Sequence, residues 1–315
     1  MAQKTLVVKL PAREHEALRS KLALGAFEFR TVPHALFSAK GEGVVATLYK
    51  SGKLVIQSPD PEAFLAAHTD VELTSVPAAK SADSAGTDPQ AARLARVDEP
   101  VIGSDESGKG DYFGPLVVCA AYVTPADAAE LGEAGVMDSK RLTDKRASLL
   151  GAWLRERVPF ALKVVAPREY NEIYPRYPSL NPLLAELHAG AIGELMSHPS
   201  VLTEGGDAIH VIVDQFGHES LLRDALRGKQ VRLDQAHRAE ANPAVAAASI
   251  IARQEYLACL RELSAECGVD LRKGAGEPVD QAGVALVKER GLAGIGQFAK
   301  LHFRNTGKIR AAVER

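Results

Sequence analysis

Two adjacent carboxylates at the mouth of a glycine-rich turn constrain this chain more than any other feature of its sequence. Val101-Ile102-Gly103-Ser104 leads apolar and small into Asp105-Glu106, and Ser107-Gly108-Lys109-Gly110-Asp111-Tyr112-Phe113-Gly114-Pro115 follows. Leu116-Val117-Val118-Cys119-Ala120-Ala121-Tyr122-Val123 then resumes apolar. The pattern predicts two strands joined by a tight turn. Neighbouring side chains on a regular strand point to opposite faces, so Asp105 and Glu106 share a site only if the strand ends there. Gly108 and Gly110 supply the backbone freedom to end it. Like charges this close repel, and a divalent cation between them relieves the repulsion. A plain solvated turn also fits these residues. A phosphate-cradling loop does not: Gly103 to Lys109 spells G-x-x-x-x-G-K, but the next residue is Gly110 rather than Ser or Thr. Asp105 and Glu106 would also put negative charge inside the cradle.

The chain has 315 residues, 46% hydrophobic and 25% charged, which suits one large or two unequal globular domains. A formal net charge of -2 means that any grip on nucleic acid must rest on local basic patches. Cys119, Cys259 and Cys267 lack metal-ligand spacing, and Cys119 lies in an apolar run expected in the core. No run approaches the ~18–20 apolar residues of a membrane span, and the N-terminus is too polar for a signal peptide. A cytoplasmic protein without disulfides is expected.

Residues 4–10 read as a strand, Pro11 opens a helix to about Ala23, and three short strands follow at 34–40, 43–50 and 53–58. Ser51-Gly52 is expected to make a two-residue hairpin turn between the last two. A second helix runs from Pro61 to His68. Residues 1–75 thus form a small α+β domain with Lys4, Lys9, Lys40, Lys50 and Lys53 along its strands. Those lysines either blunt sheet edges or grip a substrate. Residues 76–98 are small, polar and aperiodic, a flexible linker.

The larger domain, 99–315, opens with the acidic strand. Helices are expected at 125–134, 143–157 and 180–198, with Leu149, Leu150, Trp153 and Leu154 on one face of the second. Leu183, Leu184, Leu187, Ile192 and Leu195 point inward on the third. Phe160 to Ala166 is a strand. Ile209-His210-Val211-Ile212-Val213 reads as a buried strand that stops at Asp214, which is then a site residue or a helix cap. Asn242-Pro243 starts an alanine-rich helix smooth enough to pack on a sheet. Glu240, just before it, either favours the helix dipole or delivers a fourth ligand to the acids. A further helix near 280–290 and a basic tail with Lys300, His302, Arg304, Lys308 and Arg310 complete the chain.

These residues resemble a type 2 ribonuclease H, specifically bacterial ribonuclease HIII. The likeness lies in Gly103 to Val117, in Met137-Asp138-Ser139-Lys140, in Val213-Asp214-Gln215-Phe216, and in Ala239-Glu240-Ala241 followed by Ala246 to Arg253. The glycine turn with a central Lys109, and Glu240 as fourth acid, separate this pattern from sibling ribonuclease HII, which usually has Arg and Asp there. The N-terminal unit fits too, since these enzymes carry a domain similar to half of TATA-binding protein. The resemblance implies an RNase H-like α/β fold, a mixed sheet flanked by helices. It implies endonucleolytic cleavage of the RNA strand of RNA·DNA hybrids, leaving 5′-phosphate and 3′-hydroxyl ends. Asp105, Glu106, Asp214 and Glu240 become the catalytic, metal-binding acids. Gly108, Lys109 and Gly110 become readers of the ribose 2′-hydroxyl. Ser139 and Lys140 become a phosphate contact, or, with Asp138, simply cap a loop.

Such chemistry uses two divalent ions ~4 Å apart, and carboxylate oxygens suit Mg²⁺ or Mn²⁺. The expected partner is the hybrid duplex, with no membrane and no obligate protein partner, the chain acting as a monomer. Two alternatives are an enzyme directed to single ribonucleotides embedded in DNA and a module that binds hybrids without cutting. A pure binder gains nothing from acids concentrated beside phosphates.

Overall fold

The computed structural model describes residues 4–24, 27–30, 32, 35–41, 43–69, 93–136, 139, 142–201, 208–237 and 239–314. The chain divides into two compact units, Met1–Gly86 and Thr87–Arg315. This is the expected class: a small α+β unit preceding a mixed sheet flanked by helices.

In the first unit, strands β1 (Lys4–Lys9), β2 (Glu28–Arg30), β3 (Ala35–Gly41), β4 (Val44–Tyr49) and β5 (Lys53–Ser58) form one antiparallel sheet in the order β1-β5-β4-β3-β2. Helix α1 is Ala12–Leu24 and α2 is Pro61–His68. Asp60 caps α2 through the backbone N–H of Ala63 at 3.1 Å, and Pro61 occupies the first turn. Alternation puts Val8, Leu54, Ile56, Ala46, Leu48 and Phe37 in the core. The opposite face presents Lys9 directly across from Lys53, with Lys40 and Arg30 further along, all exposed. Strand β2 escaped the sequence reading because it is only three residues long. The hairpin turn spans Lys50–Gly52 rather than two residues; Gly52 takes φ +80° and its N–H bonds Tyr49 at 2.9 Å, the three-residue loop that a left-handed glycine closes.

The second unit is built on β6 (Val101–Ser107), β7 (Leu116–Val123), β8 (Phe160–Val165), β9 (Ile209–Asp214) and β10 (Val231–Ala236). Their order is β10-β9-β6-β7-β8, with β10, β9 and β6 parallel and β7 and β8 antiparallel. All eight residues of β7 are buried. Val117, Cys119, Ala121 and Val123 face one core, while Leu116, Val118, Ala120 and Tyr122 face the other. Helices α3 (Pro125–Glu133), α4 (Asp144–Arg155) and α8 (Pro243–Cys267), with α9 (Glu277–Gly294) and α10 (Arg304–Val313), cover the first face. Helices α5 (Pro167–Ile173), α6 (Leu180–Met196) and α7 (Glu219–Ala225) cover the second.

The structure departs from the sequence reading at named residues. Leu149 is 59% exposed, because the buried stripe of α4 runs through Ala147, Leu150 and Leu154 instead. Leu187 is only partly buried. His210 interrupts the apolar run of β9 and is held by Asp234 at 2.8 Å and Glu99 at 3.3 Å near the sheet edge. Most of the expected linker lies outside the described residues, but Leu94 is buried in the core of the second unit and its carbonyl accepts from Asn242 Nδ2 at 2.7 Å. No described helix is long and apolar enough to cross a membrane.

One contact fixes the sheet to α8. A Cβ placed on Gly103 would lie 2.2 Å from the Ala244 carbonyl carbon and from the Val245 nitrogen. Gly103→Ala is therefore expected to lower stability by about 1–3 kcal/mol or more. Gly132→Ala, on an open surface of α3, is expected to be neutral or to stabilise by ~0.5–1 kcal/mol. Chemical denaturation of the two variants tests the contrast.

Candidate active site

Strand β6 pairs with β7 as far as Ser107 but with β9 only as far as Ser104, opposite Val213. Asp105 and Glu106 therefore lie beyond the end of their parallel neighbour, where both faces of the strand open onto one cleft. The strand does not stop at the acids, as the sequence reading required; the adjacent strand does. Alternation still holds. Asp105 points to the α8 side, where Ser249 hydrogen-bonds it, and Glu106 to the α6 side, where His188 Nε2 lies 3.3 Å from its Oε2.

The cleft has a volume of ≈ 500 Å³ and is lined by Asp105, Glu106, Asp214, the turn Ser107–Asp111, Ser139, Ser249, Arg253, Tyr256, Leu257 and Lys273. It sits at the carboxyl ends of the parallel strands, the usual place for a site in a sheet of this kind. Asp214 ends β9, and its Oδ1 accepts the Ala239 N–H at 3.1 Å. It does not cap α7; His218 does, through the backbone N–H of Ser220. Glu240 follows Ala239 on a one-turn 3-10 helix and is not among the residues that line the cleft. Asn242 and Pro243 start α8 as expected, with Asn242 Oδ1 accepting from Ala244 N at 2.9 Å.

Gly108 has φ +86°, and a Cβ there would lie 2.1 Å from the Pro115 carbonyl oxygen, so the turn demands glycine at this point. Gly110 has nothing within 4 Å of its would-be Cβ, leaving that side of the turn open. Lys109 Nζ donates to Glu106 Oε1 at 3.1 Å. Ser139 is buried, its Oγ 2.7 Å from Ser249 Oγ, and its carbonyl accepts from Arg253. Its hydroxyl is thus tied to the group that supports Asp105. Lys140 lies outside the described residues, as do Met137 and Asp138.

The turn is anchored from the C-terminal end of the chain. Tyr112 N–H donates to Gly274 O at 2.9 Å, Gly114 N–H to Phe298 O at 3.0 Å, and Phe113 bridges Ala299. Lys300, 1% exposed, donates from Nζ to Gly114 O at 2.5 Å, with the carbonyls of Phe113 and Pro115 each at 3.4 Å.

Electrostatics separate the two adjacent acids. Burial and then the charge of Glu106 raise the Asp105 carboxyl well above the usual carboxylate range; Asp214 adds to this, and hydrogen bonds from Ser249 and the Glu106 N–H oppose it. Burial also works to raise Glu106, yet the close approach and charge of His188, followed by the hydrogen bond and charge of Lys109, bring it below its ordinary value. The donor set is entirely oxygen, with Asp105 close to two further acids, which fits a hard divalent cation. Among the described residues no three acids stand close enough to form a ligand set as they are placed.

The family model described as "Ribonuclease HII" matches residues 102–306, and a domain of unknown function (DUF3378) matches residues 5–81. A ribonuclease HIII from Protochlamydia amoebophila is 34% identical over 305 residues, 96% of each chain. One from Enterococcus faecalis is 36% identical over 286 residues, 89% of this chain and 90% of the relative. This chain belongs to the ribonuclease HIII family. Among solved structures, Bst-RNase HIII in complex with Mn²⁺ superposes with a TM-score of 0.67 at 32% identity, covering 99% of this chain and 100% of that one. Aquifex aeolicus RNase H3 gives 0.53 at 26% identity, covering 95% and 100%.

Sequence reasoning missed several residues of this ribonuclease H. Ser249, Arg253 and Tyr256 lie at helical spacing on the α8 face toward the cleft, a polar stripe following an alanine run that spacing alone could have flagged. Arg253 bonds Asp144 Oδ1 at 2.7 Å, and Lys273 bonds its Oδ2 at 2.5 Å; neither partner is close in sequence.

The raised Asp105 carboxyl has a consequence for stability. Its contribution is fully present below the ordinary carboxylate range and is lost as pH climbs through its higher folded-state value. With chelator present, Asp105→Asn should melt with the wild type near pH ~4. At neutral pH it should melt higher than the wild type. Calorimetry across pH checks this; a gap that does not grow with pH contradicts it.

Proposed function

We propose that this ribonuclease H cuts the RNA strand of RNA·DNA hybrids endonucleolytically, leaving 5′-phosphate and 3′-hydroxyl ends, as a cytoplasmic monomer. The observation that carries the reading is the convergence of Asp105, Glu106 and Asp214 on one cleft beside an open glycine turn. These three acids, joined by Glu240, would hold two Mg²⁺ or Mn²⁺ ions. When bound, such ions supply activation of a water and stabilisation of the departing 3′ oxygen. The presence of Mn²⁺ in the Bst-RNase HIII structure supports the choice of metal.

The remaining roles belong to the chain itself. The open side of Gly110 lets backbone approach a ribose closely enough to detect its 2′-hydroxyl. Lys109 reaches a phosphate from the same turn, and Ser139 and Lys140 contact a second. The exposed sheet face of the first unit, with Lys9, Lys40, Lys53 and Arg30, grips the duplex backbone. That local basic face is how a chain of net charge -2 holds a polyanion.

Asp214→Asn should lower turnover on a labelled hybrid by on the order of 10²–10³-fold or more, as removal of a transition-state charge partner does. Hybrid affinity, read by anisotropy, should survive. Turnover close to wild type in that variant would overturn the assignment. Replacing Lys9, Lys40 and Lys53 together by Ala should raise KM while sparing kcat. The salt dependence of binding should flatten by about one unit of slope for each phosphate that is no longer neutralised. An unchanged slope would remove the first unit from the substrate interface. Parallel hybrids with one or several ribonucleotides decide between the expected substrate and single embedded ribonucleotides.

A further inference from the structure

Helix α6 is apolar on its buried side except for one residue, His188, which is 0% exposed. Burying an imidazole among Leu184, Ala185, Ile192 and Leu195 costs free energy unless its nitrogens are partnered. Here the ring lies flat on Phe216, centroids 4.8 Å apart and planes 2° from parallel. Its Nδ1 is 2.7 Å from Ser104 Oγ, which is itself 2.7 Å from the Cys119 carbonyl oxygen. Its Nε2 is 3.3 Å from Glu106 Oε2. Among the described residues, neither Nε2 nor Oε2 has a hydrogen-bond partner of good geometry, and both atoms are buried. Ser104 and Glu106 are two residues apart on β6 and so share a face. The ring spans from one to the other.

An apolar side chain would fill this space at lower cost. A serine and a histidine buried together, with the free ring nitrogen directed at a cleft carboxylate, act on that carboxylate. A glutamate free to rotate loses ~1.5–2 kcal/mol of side-chain entropy when fixed, and a group that fixes it beforehand removes that cost from whatever binds next. We propose that His188, set in place by Ser104 and Phe216, is a positioning residue that holds Glu106 in the cleft. Ser104 gives its O–H to the Cys119 carbonyl, so Nδ1–H donates to Ser104 Oγ and the charged ring directs Nε2–H at Oε2. Oε1, which Lys109 Nζ holds at 3.1 Å, passes to an incoming divalent cation as Lys109 turns to a substrate phosphate. This rests on the reading of Glu106 as a cation ligand.

The test uses the full chain and Mn²⁺ as probe, followed both by calorimetry without substrate and by the Mn²⁺ concentration giving half-maximal hybrid cleavage. His188→Leu should weaken Mn²⁺ binding ~10–100-fold, the usual cost of losing a ligand's outer partner, and raise the half-maximal concentration equally. KM for the hybrid should hold. His188→Gln, which restores an N–H at similar reach, should recover most of the loss. Mn²⁺ affinity in His188→Leu within twofold of wild type overturns the proposal; so does equal impairment of the Leu and Gln variants, since packing alone would then explain both. If His188→Leu does not fold, Ser104→Ala decides in its place, an unchanged Mn²⁺ requirement being the adverse result. Glu106→Gln is the control for the underlying reading. If it binds Mn²⁺ as wild type does, Glu106 is no ligand and the proposal falls with that reading. If it is impaired while His188→Leu is not, the role of His188 alone is refuted.

Discussion

Everything in the larger unit depends on how closely α8 lies on β6. At Gly103 there is no room for even a methyl group between strand and helix backbone. The alanine run Ala246–Ala248 continues that close packing and is fully buried. The separation this sets brings Ser249 to Asp105 and Arg253 to the cleft rim. A larger residue on either surface would lift the helix and take the hydrogen bond from the carboxylate. Packing and chemistry are here one constraint, because the same helix face supplies both.

A second constraint is electrostatic. Three acids on one cleft repel, and the chain distributes the load unequally. Glu106 is given His188 and Lys109 and stays easily ionised, whereas Asp105, buried against the α8 face, resists ionisation. Titratable groups pushed apart in this way mark sites that do chemistry.

Much of this was legible beforehand, and for physical reasons. The glycine turn, the apolar β7, the abrupt end of β9 at an acid and the Asn242-Pro243 helix start are local signals, each carried by a few contiguous residues. What could not be read depends on tertiary register. That Asp105 and Glu106 serve one cleft from opposite faces follows from where β9 stops pairing, which no spacing within β6 reveals. His188 looks like one more polar residue in an amphipathic helix until Ser104 is placed beside it, 84 positions earlier. The Leu149 error has the same origin: two adjacent leucines on a helix cannot both face the core, and only the neighbour decides which one does. Glu240 stands out only by its likeness to a family position, because a single acid before a helix serves the dipole equally well.

The clamp on the glycine turn has a temporal side. Lys300 and the Gly114 carbonyl it holds are 186 residues apart in the chain. The acids of the turn are thus translated in the first half of the polypeptide, while the groups that set their adjoining loop emerge among the last. A nascent chain on the ribosome carries Asp105 and Glu106 before Lys300 is present to hold the adjoining loop. The geometry of this loop is therefore completed only once the last residues of the chain are in place.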